Sequence, residues 1–207
     1  MQFQCIAWSS IEDLLEKIKA ASSVINSTTP MEIERKWIVD YALIDFLKEN
    51  YSKNMKNRTM LQSYLSVNPE IRYRSVMSKT DSNDVKHYIA YKSDGDLVRE
   101  EMEVEVSMSS ALKFAKAIRD DKNNKEYHGS KFITKDYYVF YINNIKLQMS
   151  MVDNDKKFVY MEIEFPNEAA AQEFELPKEI LKYIKKEVTS DASYKMKNYW
   201  KRTRVKK

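Results

Sequence analysis

Glu32, Glu34 and Lys36 fall at every second position of one short run, and other runs repeat the pattern. Arg72 and Arg74 form one such set, Arg99, Glu101 and Glu103 another, and Glu162 and Glu164 a third. Carboxylates two residues apart share one face of a strand and can hold a hard divalent cation through oxygen. Arginine and lysine neutralise phosphate oxygens, arginine often with two parallel hydrogen bonds. A ligand that supplies both signs, a polyphosphate with its divalent cations, would suit such a mixture. The chain has only two glycines, Gly95 and Gly129, so a glycine-rich phosphate loop is excluded and any grip on phosphate must come from side chains. A single cysteine, Cys5, rules out an intrachain disulfide, and the two histidines, His87 and His128, give no zinc-ligand spacing.

These residues sit on segments of period two. The alternation predicts eight strands, at 31–39, 59–67, 70–78, 85–92, 97–107, 131–140, 143–152 and 158–165. Turns are expected at Asn68-Pro69, 81–84, 93–95, Asn143-Asn144 and 153–155. Helical spacing predicts helices at about 9–25, 41–49, 108–119, 167–174, 177–185 and 191–202. Residues 1–30 read as an N-terminal helix and linker, and 31–207 as the main domain. Trp8 and the helix after it would either cover one end of that domain or form a dimer contact. Eight strands with tight turns suggest an antiparallel barrel or sandwich.

Two arrangements of the charged faces are open. One is a sandwich with its charges in water; in either, His87 reads as a strand-surface residue rather than a catalytic base. The difficulty of the sandwich is clustering, since Glu101, Glu103 and Glu105 stand about 7 Å apart along one face and repel. The other turns a barrel inside out, with helices over apolar outer faces and the charges lining a confined wet tunnel, where each is costly unless paired or liganded.

Composition narrows the class. The chain has 207 residues, 35 basic and 31 acidic, for a net charge of +4. Seven of the basic residues fall in the acid-free stretch 195–207, which could touch nucleic acid or simply be a solvated end. No stretch reads as a signal peptide or approaches the ~20 apolar residues of a membrane span, so a cytoplasmic protein is expected.

The order of motifs along the chain resembles the CYTH, or triphosphate tunnel metalloenzyme, superfamily. Glu32-Ile33-Glu34-Arg35-Lys36 resembles its opening signature. Gln62 to Leu65 with Arg72 and Arg74, then Lys92 with Arg99, Glu101 and Glu103, then Glu162 and Glu164, then Glu187-Val188-Thr189 with Tyr194 and Lys195 resemble the motifs that follow. The resemblance covers about 31–198 and implies an α+β fold: an eight-stranded antiparallel β-barrel with a polar, charged interior and helices packed outside. It implies a divalent-metal-dependent hydrolase of triphosphate-containing substrates, inorganic or organic. The alternatives are an adenylyl cyclase and a non-catalytic binder of polyphosphate or RNA 5′ ends. By the same resemblance Glu32, Glu34, Glu162 and Glu164 would hold Mg²⁺ or Mn²⁺. Lys36, Arg72, Arg74, Lys92, Arg99, Lys135 and Lys195 would bind the triphosphate. Glu32, Glu34, Lys36, Arg99, Glu101 and Glu103 would form the catalytic set. A triphosphate-bearing small molecule is the expected partner, with an RNA 5′ triphosphate end and a second copy of the chain as further candidates. Three positions depart from the family pattern: Tyr137 stands where a basic residue is expected, Ser150 where an aspartate is, and Met196 where an asparagine is.

Overall fold

The computed structural model describes residues 31–120 and 130–205. The helix expected at 9–25, Trp8 and His128 lie outside the described residues. The expected strands are all present: β1 (Met31–Val39), β2 (Lys56–Val67), β3 (Glu70–Ser78), β4 (Val85–Lys92), β5 (Val98–Val106), β6 (Ile133–Ile142), β7 (Ile145–Val152) and β8 (Val159–Glu164). Each pairs antiparallel with its neighbours, in the order β5-β4-β3-β2-β6-β7-β8-β1, and β1 pairs with β5 to close the ring. Asn143 and Asn144, at φ 47° and 67°, form the two-residue turn between β6 and β7, a conformation asparagine tolerates better than most residues.

The apolar faces look outward. Trp37, Val39, Phe140, Leu147, Met149, Met161 and Ile163 form one outer core with Leu43, Ile44 and Leu47 of α1 (Ala42–Asn50). Ile71, Tyr73, Ile89 and Met102 form a second with Ala111, Phe114 and Ile118 of α2 (Met108–Arg119). Ser107 caps α2 by accepting from the Ser110 amide, and Asn167 caps α3 (Glu168–Glu173) by accepting from that of Ala170. The barrel is therefore inside out, and its helices shield greasy outer walls from water.

Two helix expectations need correction. The segment expected to be helical over 177–185 is a 3₁₀ turn, Lys178–Tyr183, that runs into a ninth strand, β9 (Ile184–Glu187). The final helix does not start at 191: a separate 3₁₀ turn, Ala192–Tyr194, precedes α4 (Met196–Arg204). Both follow from backbone pairing. Residues 37–39 of β1 extend past the end of β5 and would leave an unpaired edge, and β9 takes that edge. Arg35 fastens the arrangement with two bonds to Glu187, 2.7 and 2.8 Å, and two more to the carbonyls of Ala171 and Phe174.

His87 is not a surface residue. It is buried on the outer face of β4, where Nδ1 lies 2.7 Å from Ser75 Oγ and 3.2 Å from Tyr73 Oη.

Candidate functional site

The inward positions of all eight barrel strands line one cavity of about 280 Å³. It is blind at one end. Ile38, Tyr64, Ile133, Val152 and Tyr160, each in phase with the lining residues of its strand, fill that end together with Val188, Met196 and Trp200. The Trp200 ring packs 5.6 Å from that of Tyr64, and its indole N–H donates to the Lys131 carbonyl at 2.6 Å. The bore is thus a cup, which the sequence pattern does not reveal. Met196, the departure from the expected asparagine, is part of this plug.

Eight carboxylates and seven cations line the cup. This near balance decides how it meets a ligand. A polyphosphate carries more negative charge than such a lining offsets, so it must displace carboxylates from their cations or bring cations of its own.

The ion pairs form a chain across the strands. Lys92 lies 2.8 Å from Glu32 and 3.0 Å from Glu101. Arg99 reaches Glu32 at 2.6 Å and Glu34 at 2.8 Å. Arg72 bridges Glu101 and Glu103, both at 3.0 Å, and Arg74 holds Glu103 at 2.6 Å. Lys36 pairs with Glu162 at 2.6 Å. Glu32, Glu34, Lys36, Arg72, Arg74, Lys92, Arg99, Glu101, Glu103, Lys135 and Glu162 are therefore gathered as the motifs predict. Two predicted residues stand apart. Glu164 is at the rim, about half exposed, and holds Lys146 at 3.1 Å. Lys195 lines the cup, but its ammonium is tied to the Gly95 carbonyl and Asp96, both at 2.7 Å.

Part of this donor capacity is unmet. The Nε–H groups of Arg72 and Arg74 are buried and have no acceptor among the described residues. Lys135 is 6% exposed and has no carboxylate of the described residues within 4 Å. Burial therefore pushes its pKa well below the usual lysine range, and Glu162 only partly offsets this. Three cationic side chains that face one cavity with spare donors are what an anion site requires.

The carboxylates divide by environment. Burial alone would raise Glu32, but Lys92 and Arg99 outweigh it and hold it well below the usual range. Glu34 lacks that compensation: burial, then the nearby Glu162, push it up to about 7. Glu101 is raised by burial despite Lys92 and Arg72, whereas Arg74 and Arg72 hold Glu103 down against its burial.

Among the described residues no three carboxylate, histidine or cysteine side chains converge as a ready-made cation cage. Their glutamates are turned toward lysine and arginine instead. The donor set still fits a hard dication, because Glu32, Glu34 and Glu162 are crowded enough to repel one another, and a cation among them would relieve that repulsion.

Three further inward polar residues lie outside the predicted site set. Glu70 is buried and faces Lys197 at 3.6 Å, and Gln148 accepts from the Tyr137 hydroxyl. Gln62 is buried with its carbonyl oxygen unmet. Strand parity could have placed all three inward, since Glu70 is in phase with Arg72 and Arg74, Gln62 with Met60 and Tyr64, and Gln148 with Ser150.

Fold and site define a closed antiparallel tunnel barrel with an ion-paired bore. No family model matches the chain, and no curated protein matches it. Among solved structures, an inorganic triphosphatase is 20% identical over 81% of this chain and 93% of its own, with a TM-score of 0.47. A Hippeastrum protein described as having a dominant triphosphatase activity is 13% identical over 68% and 82%, with a TM-score of 0.39. A chain of the Schizosaccharomyces pombe Mediator head module is 11% identical over 69% and 88%, with a TM-score of 0.45. No functional conclusion rests on likenesses this distant, and the barrel is established by its own strand pairings. None of the helices among the described residues is long and apolar enough to cross a membrane.

Proposed function

We propose that this chain is a CYTH-type triphosphate tunnel enzyme that hydrolyses the terminal phosphoanhydride of a triphosphate, with a divalent cation bound by its glutamates. The observation that supports this reading most is the spare donor capacity of Arg72 and Arg74, each with a buried Nε–H that lacks an acceptor among the described residues, beside Lys135 in a cup lined by cations. A triphosphate enters end-on, because the apolar plug closes the far end. Arg72 and Arg74 donate their free N–H groups to phosphate oxygens, and Lys36 and Lys135 take the phosphate nearest the floor. These contacts fix the phosphates in line and offset charge that develops as the P–O bond breaks.

Glu32, Glu34 and Glu162 would hold Mg²⁺ or Mn²⁺. When bound, it supplies charge neutralisation at the phosphate oxygens. Glu101, ionised beside Lys92 and Arg72 and made more basic by its burial, accepts the proton lost by the attacking water. Lys92 and Arg99, released from Glu32 by the cation, would turn to the entering phosphates.

The test is phosphate release from inorganic tripolyphosphate with Mg²⁺, with Mn²⁺ and with chelator, for the parent, Glu32→Gln and Glu101→Gln. Release that needs the cation and is lost in both variants is expected. Equal rates in parent and variants would reject the assignment. With ATP as substrate, this reading expects ADP and phosphate, whereas cyclic AMP and pyrophosphate would select a cyclase.

A second reading is a polyphosphate-binding protein without turnover. It is favoured by Ser150 and Tyr137, which remove one acid and one base from the expected set. Tight tripolyphosphate binding with no phosphate release under either cation would select it.

A further inference from the structure

Two lysines lie against one aromatic ring at the floor of the cup. Lys36 Nζ lies 4.6 Å from the centroid of the Tyr160 ring, and Lys135 Nζ lies 5.5 Å from it. Tyr160 is 1% exposed. Its ring packs in the plug, with the Phe158 ring 6.1 Å away. An aromatic face is negative and attracts cations.

The surroundings of Lys135 show why a ring matters there. Lys36 on β1, Arg72 and Arg74 on β3 and Glu162 on β8 are the charged groups that act on it, three cations against one carboxylate. That carboxylate is already held by Lys36. Ser150 is paired directly with Tyr160 across β7 and β8, so a short neutral side chain stands beside the ring. A carboxylate there would hold Lys135 more strongly, but it would also compete with an incoming anion.

We propose that Tyr160 is a positioning residue whose ring holds Lys36 and Lys135 at the floor of the cup, so that both donate to the innermost phosphate of an entering polyphosphate. This rests on the triphosphate reading of the bore. The ring steadies two like charges without cancelling either. A carboxylate in its place would have to be displaced before the phosphate could bind.

The test replaces Tyr160 by Phe, by phenylalanines with one and with three ring fluorines, and by Leu. Fluorine drains the ring face while keeping shape and packing nearly constant. Calorimetric binding of inorganic tripolyphosphate is read together with KM and kcat for phosphate release. Phe is expected to stay within about twofold of the parent. Affinity is expected to fall stepwise with fluorination to roughly tenfold at three fluorines, with KM following it and kcat changing less. A flat fluorine series overturns the proposal even if the Leu variant fails to fold. A Phe variant as weak as Leu overturns it too, because the hydroxyl would then be the part that matters. A parent that binds no tripolyphosphate rejects the triphosphate reading, and this inference falls with it.

Discussion

Replacing Glu34 by glutamine should stabilise the ligand-free protein while removing its response to divalent cations. Glu34 is about one-seventh exposed and sits among carboxylates, with its pKa pushed up to about 7 from an ordinary 4.5. A raised carboxyl favours the protonated folded state. Its contribution to stability is complete below about pH 4.5 and is lost as pH rises through about 7. At pH 8 the parent therefore folds with a charge that its surroundings disfavour, by roughly 3 kcal/mol at most. Glutamine removes that charge, and its carbonyl oxygen can still accept from Arg99, which keeps Glu32 as a counter-ion. A gain of about 1–3 kcal/mol, or roughly 3–9 °C in Tm, is expected at pH 8. The assay is thermal unfolding in chelator at pH 4 and pH 8, followed by Mg²⁺ titration. The gain should vanish at pH 4, and the Mg²⁺-induced rise in the parent's Tm should be absent in the variant. A variant less stable than the parent at pH 8 in chelator would show that Glu34 is a well-paired anion and refute the crowding argument.

Trp200→Ala removes a buried plug residue and one of the two hydrogen bonds to the Lys131 carbonyl, which keeps the one from Ser63. It should cost about 3–5 kcal/mol in chemical denaturation. Arg35→Ala breaks the bidentate link to Glu187 and two carbonyl contacts. Amide exchange should become faster across β9 than across β7, and uniform protection would contradict the fastening role. Gly95→Ala would place a methyl 2.1 Å from the Val98 carbonyl at φ 157°, so a Tm loss of several degrees is expected. Lys135→Met removes a cation with no carboxylate partner. It should leave or raise stability in chelator while weakening tripolyphosphate binding at least tenfold, read by unfolding and calorimetry on the same sample.

The inward charges were legible because period two is rigid: once Glu32, Glu34 and Lys36 share a face, so must their neighbours in register. Clustered glutamates on β5 had already argued against an open surface. The ring itself was less visible, because its closing pairs, Met31 to Ile33 with Val98 to Glu100, are non-local and leave no local pattern. The same holds for β9. Residues 184 and 185 read as the end of a helix, and only the vacant edge of β1 makes 184–187 a strand. The plug was hidden for a different reason. Ile38, Tyr64 and Tyr160 alternate in phase with charged residues, and parity gives their face without their depth in the bore. Residue types alone also did not separate Lys135 from its matched neighbours, since the difference lies in which carboxylates reach it.

Calorimetric titration of inorganic tripolyphosphate with Mg²⁺ into the parent and into Arg72→Met tests the central claim most directly. One site per chain, weakened at least tenfold in the variant, is predicted if the inward cations grip the phosphates. No binding by the parent, or equal affinity in both proteins, would contradict it.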